Sequence, residues 1–133
     1  MKARKNGVII NIIGAAGERP LPNYIAGSMG NISLMAMTVA LGAESPNHGV
    51  RVVGVNPGPI ATERIVKLSR GWAEEKLGDP DRYEELLSTS PFGRAGSVDE
   101  VAASVVFLAS DRSGYTSGTV VTIDGGWANR PNG

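Results

Sequence analysis

The stretch that decides the fold is Val50-Arg51-Val52-Val53-Gly54-Val55, followed at once by Asn56-Pro57-Gly58-Pro59. A short β-branched run that ends in turn residues reads as a strand covered on both faces, as in a parallel sheet. Toward the N-terminus, Val8-Ile9-Ile10-Asn11-Ile12-Ile13 repeats the pattern between Gly7 and Gly14. Toward the C-terminus, Thr119-Val120-Val121-Thr122-Ile123 repeats it again before Asp124-Gly125-Gly126. Strands are therefore predicted over 7–13, 50–55 and 119–123.

The intervening segments have helical spacing. From 24 to 44, Ile25, Met29, Ile32, Ala36 and Val39 mark one face, while Leu34, Met37 and Leu41 mark another. A helix apolar nearly all round must be covered twice, by a sheet and by something else, such as a partner subunit. Residues 62–88 are more polar and predict two or three short helices, one starting at Asp79 with Pro80 in its first position. Ser97 and Glu100 have the spacing of a capping box, and Val101, Val105 and Leu108 continue a helix over 98–109. Both crossovers are long enough for parallel pairing. The pattern is β-α-β-(α α)-α-β, an α/β class with three parallel strands.

The chain has 133 residues, 13 Lys+Arg against 13 Asp+Glu, 41% hydrophobic residues and no cysteine. That suffices for one domain and not for two. Zero net charge argues against a nucleic-acid partner. Disulfides and Cys-ligated metal sites are impossible, and a lone His48 in a loop signature gives no metal site. The apolar run 8–13 behind the basic start is too short for a secretory core or a membrane span, so the expected location is cytoplasmic, away from membranes.

Several of these segments together resemble the classical short-chain dehydrogenase/reductase family. The resemblance runs from about Gly7 to Ala128. It rests on Gly7-Val8-Ile9-Ile10-Asn11-Ile12, on Tyr24 opening the long helix, and on Asn56-Pro57-Gly58-Pro59-Ile60-Ala61-Thr62. Pro91-Phe92-Gly93-Arg94, Glu100-Val101-Ala102, Phe107-Leu108-Ala109-Ser110 and Asp124-Gly125-Gly126 then follow in order. The resemblance implies a Rossmann-type fold, an NAD or NADP cofactor and a small-molecule carbonyl/alcohol substrate. It also implies that this chain holds the C-terminal part of that fold. The Gly-rich turn that binds the pyrophosphate belongs to the first half, and Gly14-Ala15-Ala16-Gly17 runs into Glu18-Arg19-Pro20 instead of a helix. Met1 is accordingly expected to be an internal methionine of a longer protein.

In the family a tyrosine is the general acid/base, a serine binds the substrate oxygen, and a lysine four residues after the tyrosine eases its ionisation and holds the ribose. The lysine matters because ionising a free phenol at pH 7 costs about 4 kcal/mol. Tyr24 takes the tyrosine position here. Ser28 stands where the lysine is usual, and Gly14 where the serine is usual. Pro57-Gly58 by itself reads as a tight turn, with Gly58 accepting positive φ. The resemblance further implies that this turn lets backbone groups near Ile60 and the Thr62 hydroxyl meet the nicotinamide carboxamide, which makes Pro57, Gly58, Ile60 and Thr62 the cofactor-binding positions. It makes 62–88 a substrate-covering lid. With Gly14 and Ser28 in those places, the isolated chain is expected to be inactive.

Two further readings stand beside the oxidoreductase. One is a non-enzymatic remnant that assembles through the 24–44 helix and the last strand, with itself or onto intact members of the family. The other is half of a split enzyme, completed by a separate Rossmann chain. In both, the outer edge of the first strand needs a partner, and an isolated monomer is expected to associate.

Overall fold

A computed structural model describes residues 1–131. Its elements are β1 (Gly7–Ile12), α1 (Ile25–Glu44), β2 (Val50–Pro57), α2 (Glu63–Leu77), α3 (Tyr83–Ser88), α4 (Val98–Ala109) and β3 (Thr119–Ile123), joined through short 3-10 turns. The sheet is parallel throughout, in the order β1-β2-β3. The predicted α/β class and its three-stranded sheet are therefore present.

The run that decided the fold is the centre of the sheet. Val53 and Val55 of β2 are fully buried and join Leu108 of α4, with Ile10, Val101, Val105, Val121 and Ile123 packed around them. β2 runs on past the predicted boundary to Pro57, because Pro57 still faces Ile123 in register and the next N–H, on Gly58, donates to the Ile123 carbonyl at 2.9 Å. Proline is tolerated there because it sits at the end of the ladder. β1 is one residue shorter than predicted. Each face keeps one exposed apolar residue, Ile9 on one and Ile12 on the other, and among the described residues no strand pairs with its outer edge.

α1 departs most from its sequence pattern. Its buried positions are Ser28, Thr38 and Gly42, while both apolar stripes face outward, with Ile25, Met29, Ile32, Leu34, Met37, Val39 and Leu41 all exposed. Small and polar residues let the helix approach the sheet closely. Thr38 accepts a hydrogen bond from Asn11 of β1 at 2.9 Å and donates to the Leu34 carbonyl at 2.8 Å. Gly42 lies flat on the backbone of Gly118 and on the Val52 carbonyl. The 27-residue segment Pro22–His48 also meets the length and apolarity of a membrane span, with a mean hydropathy of 1.4. Its polar inward stripe and its seat on the sheet account for it as one layer of an α/β unit.

Helix boundaries follow local chemistry. α4 spans the predicted 98–109 and starts on a complete Ser97/Glu100 capping box. Asp79 caps the turn that opens with Pro80, its carboxylate accepting from the Asp81 N–H at 2.9 Å. The carboxyl of Glu100 is held down to about 2, first by its hydrogen bond from Arg94 and then by the Ser97 N–H.

Candidate active site

In open parallel sheets, ligands bind beyond the C-terminal ends of the strands. Here those ends deliver Gly14 after β1, Asn56 and Pro57 on β2, and Asp124 after β3. A cleft of about 300 Å³ opens at this edge, lined by Pro59, Ile60, Pro91, Phe92, Asp124 and Gly125 among others.

Asn56 organises the floor. It is fully buried at the end of the central strand. Its carboxamide oxygen accepts the Gly14 N–H at 3.3 Å, and its amide nitrogen donates to Glu18 Oε1 at 2.9 Å. The same Glu18 oxygen accepts from the Thr122 hydroxyl of β3. One side chain and one carboxylate thus tie all three strand ends together. At Gly14, a side chain would meet the Asn31 amide, 2.8 Å from the Cβ position, so the space above this residue is already filled from α1.

Tyr24 is the N-cap residue of α1 and is about one-third exposed. Its ring lies across Gly27, whose missing Cβ would stand 2.1 Å from the ring carbons. Its hydroxyl oxygen accepts a hydrogen bond from Arg64 Nη2 of α2 at 3.2 Å. Ser28 turns the other way: it is buried and accepts the Leu21 N–H at 3.3 Å, which anchors the entry to the helix. The structure therefore separates Tyr24 from Ser28, although the two lie one helical turn apart.

Pro57, Gly58, Ile60 and Thr62 do form one connected segment, with a different turn chemistry from that predicted. Gly58 does not adopt positive φ. It is required to be small because a Cβ there would lie 2.6 Å from Asp124. Ile60 forms a parallel bridge with Gly96, made by the Pro59 carbonyl and the Ala61 N–H, each at 2.8 Å. In a parallel bridge the central residue's own N–H and C=O point the opposite way, which directs the Ile60 backbone away from Gly96. Thr62 caps α2 by accepting the Ile65 N–H at 3.4 Å, leaving its hydroxyl proton available to a ligand. A backbone donor–acceptor pair beside a hydroxyl fits the carboxamide end of a nicotinamide ring. Asp124 braces the facing turn, its carboxylate accepting from the N–H groups of Gly126 and Ala128, each at 2.7 Å.

Sequence reasoning had not singled out Arg64, Asn56 or Glu18 as site residues. Asn56 had a local signal, being a polar residue at the end of an apolar strand. Arg64 and Glu18 had none, since their partners are distant in sequence. Among the described residues no three His, Asp or Glu side chains converge on a metal-sized site.

Comparison with known proteins agrees with this geometry. Residues 1–128 match the family model described as enoyl-(acyl carrier protein) reductase. The chain is 36% identical to galactitol 2-dehydrogenase (L-tagatose-forming) of Cereibacter sphaeroides, over 96% of this chain and 48% of that protein. It is 32% identical to L-xylulose reductase of Caenorhabditis elegans, over 92% of this chain and 46% of that protein. The crystal structure of L-sorbose reductase from Gluconobacter frateurii, complexed with NADPH and L-sorbose, superposes with a TM-score of 0.85 at 28% identity, covering 98% of this chain and 51% of that one. The chain spans about half the length of the curated relatives it matches. With the strand order, the Tyr24 helix and the Pro57 to Thr62 segment in place, this chain belongs to the short-chain dehydrogenase/reductase family.

Proposed function

We propose that this chain is the substrate-handling part of an NAD(P)-dependent oxidoreductase acting on a carbonyl/alcohol pair, with Tyr24 as its proton donor. The observation that carries this reading is the position of the Tyr24 phenol. It is held at the C-terminal strand edge by Arg64, which stands on the helix that the Pro57 to Thr62 segment leads into. When bound, the nicotinamide cofactor supplies or accepts the hydride. Ile60 and Thr62 hold its carboxamide, and Tyr24 gives its proton to the substrate oxygen as the carbonyl is reduced. Reduction is the favoured direction, because a proton donor need not be ionised beforehand. Gly14 presents a backbone N–H bonded to Asn56 where relatives of this family are expected to present a hydroxyl, and α2 with α3 covers the substrate.

The test follows NADH or NADPH oxidation with a panel of ketoses and small ketones. The chain is assayed alone and together with a separately produced cofactor-binding half of a relative. Turnover that falls by about 100-fold or more in Tyr24→Phe supports the reading. No turnover in either arrangement, or full activity in Tyr24→Phe, overturns it.

The exposed apolar stripes of α1 and the open edge of β1 favour a second reading, in which the chain works as an assembling subunit, with itself or with a complementary Rossmann chain. Oligomers that bind no nicotinamide would support that reading over the first.

A further inference from the structure

The charge beside Tyr24 comes from an unexpected direction. No lysine occurs between Lys5 and Lys67, and the residue one turn after Tyr24, Ser28, is buried against the Leu21 N–H. The phenol nevertheless has a cation in contact with it, because Arg64 reaches across from the first turn of α2 to donate to its oxygen at 3.2 Å. A guanidinium stays protonated at every pH at which a protein is folded, and its N–H donors bind a phenolate more strongly than a phenol. Gly27 is what allows the contact. Without a Cβ beneath it, the ring lies down on the helix and its hydroxyl points toward α2.

We propose that Arg64 is a positioning residue for Tyr24, supplying from the covering helix α2 the positive charge that relatives would supply from the tyrosine's own helix. The proposal rests on the oxidoreductase reading for its purpose but not for its test. Its functional consequence is a coupling: Tyr24 has its cation only while the first turn of α2 stays within reach of the phenol, so movement of α2 and charge at the proton donor change together. The other charged groups near these elements have different engagements. Glu18 is bound by Asn56 and Thr122, Arg19 lies over the Trp127 ring at 5.2 Å, and Glu63 and Lys67 flank Arg64 on α2.

Nitration by tetranitromethane, which attacks the phenolate, tests the pair residue by residue without requiring turnover. The intact chain is nitrated at several pH values and modification at Tyr24 is read by peptide mass spectrometry, with the fully exposed Tyr115 as internal standard. Arg64→Gln is expected to slow Tyr24 nitration by about two- to fivefold relative to Tyr115, the range for an exposed pair. Arg64→Lys, which keeps the charge, is expected to retain most of the rate. Loss of a neighbouring side chain on its own would uncover Tyr24 and speed the reaction, so the direction separates charge from shielding. Gly27→Ala, which pushes the ring off its seat, is expected to reproduce the Arg64→Gln result with the arginine intact. Unchanged or faster nitration in Arg64→Gln, or equal slowing in Arg64→Lys, overturns the proposal. Slowed nitration in Arg64→Gln, with no carbonyl reductase turnover either alone or with the complementary cofactor-binding half, would uphold the pair and defeat the oxidoreductase reading separately.

Discussion

The buried carboxamide of Asn56 accepts the Gly14 N–H, so a side chain extends the fastening of β1 to β2 one residue beyond the last backbone bond, from the Ile13 N–H to the Val55 carbonyl at 2.8 Å. That amide also holds Glu18, and neither of its polar ends has water to replace a lost partner. Asn56→Leu is expected to destabilise the chain by about 1–3 kcal/mol, measured by urea unfolding. Asn56→Asp keeps an acceptor for Gly14 and sets a second carboxylate against Glu18. Its deficit is therefore expected to shrink as the pH falls and one carboxyl takes up a proton. A pH-independent deficit would mean that Glu18 and Asn56 are not coupled.

Gly42 and Gly30 lie on the same helix and make opposite predictions. A Cβ at Gly42 would stand 2.2 Å from the Gly118 nitrogen and 2.7 Å from the Val52 carbonyl oxygen, both of them backbone. Neither can rotate away. Gly42→Ala is expected to cost about 3 kcal/mol or more, since α1 must lift from the sheet. At Gly30 a Cβ meets nothing within 4 Å. Gly30→Ala is expected to stabilise by about 0.5–1 kcal/mol through helix propensity alone. Thermal melts of the two variants check both signs.

Glu100 gives the chain an acid-sensitive link between α4 and the segment before it. Its carboxyl is held down to about 2 by Arg94, so the folded form binds the proton more weakly than the unfolded chain does. The stabilisation is complete above the ordinary glutamate range and fades as the pH drops from about 4.5 toward 2. Glu100→Gln is expected to lower the melting temperature at pH 7 and to flatten its dependence on pH below 5. Parallel curves for the two proteins over that range would show that the pair adds nothing to folding.

Outward-facing apolar residues on α1 predict association. Ile25 is 62% exposed and Met29 66%, with Ile32 next on the same stripe. A patch of this kind is rare on a free surface. Sedimentation velocity is expected to show concentration-dependent oligomers, with Met29→Glu combined with Ile32→Lys shifting them toward monomer. A wild-type chain that sediments as a sharp monomer at all concentrations would contradict this.

Much of the architecture was legible because it depends on local composition. The β-branched runs located all three strands, and Ser97 with Glu100 set the start of α4 to the residue. What α1 packs against was not legible. Hydrophobic spacing identifies apolar faces without saying which one meets the sheet, and close approach selected Ser28, Thr38 and Gly42 over the two larger stripes. At Gly58 the turn rule named the right residue for the wrong reason, because the constraint is the neighbouring Asp124 and not a backbone angle. For the candidate site, Tyr24 and the segment 57–62 could be picked out in one dimension. The reach of Arg64 to Tyr24 spans 40 residues and leaves no local trace.

The parallel order β1-β2-β3 also sets a timetable for synthesis. No neighbouring strands are joined by a hairpin, so every ladder closes only after an intervening helix has emerged from the ribosome. β2 acquires its first partner early, from β1, and then waits through α2, α3 and α4 before β3 appears. During that interval Val53 and Val55, which end fully buried, have a bare edge beside them. Folding is therefore governed by long loop closures and is slow for its size, and the central strand keeps one edge open while residues 58–118 are made.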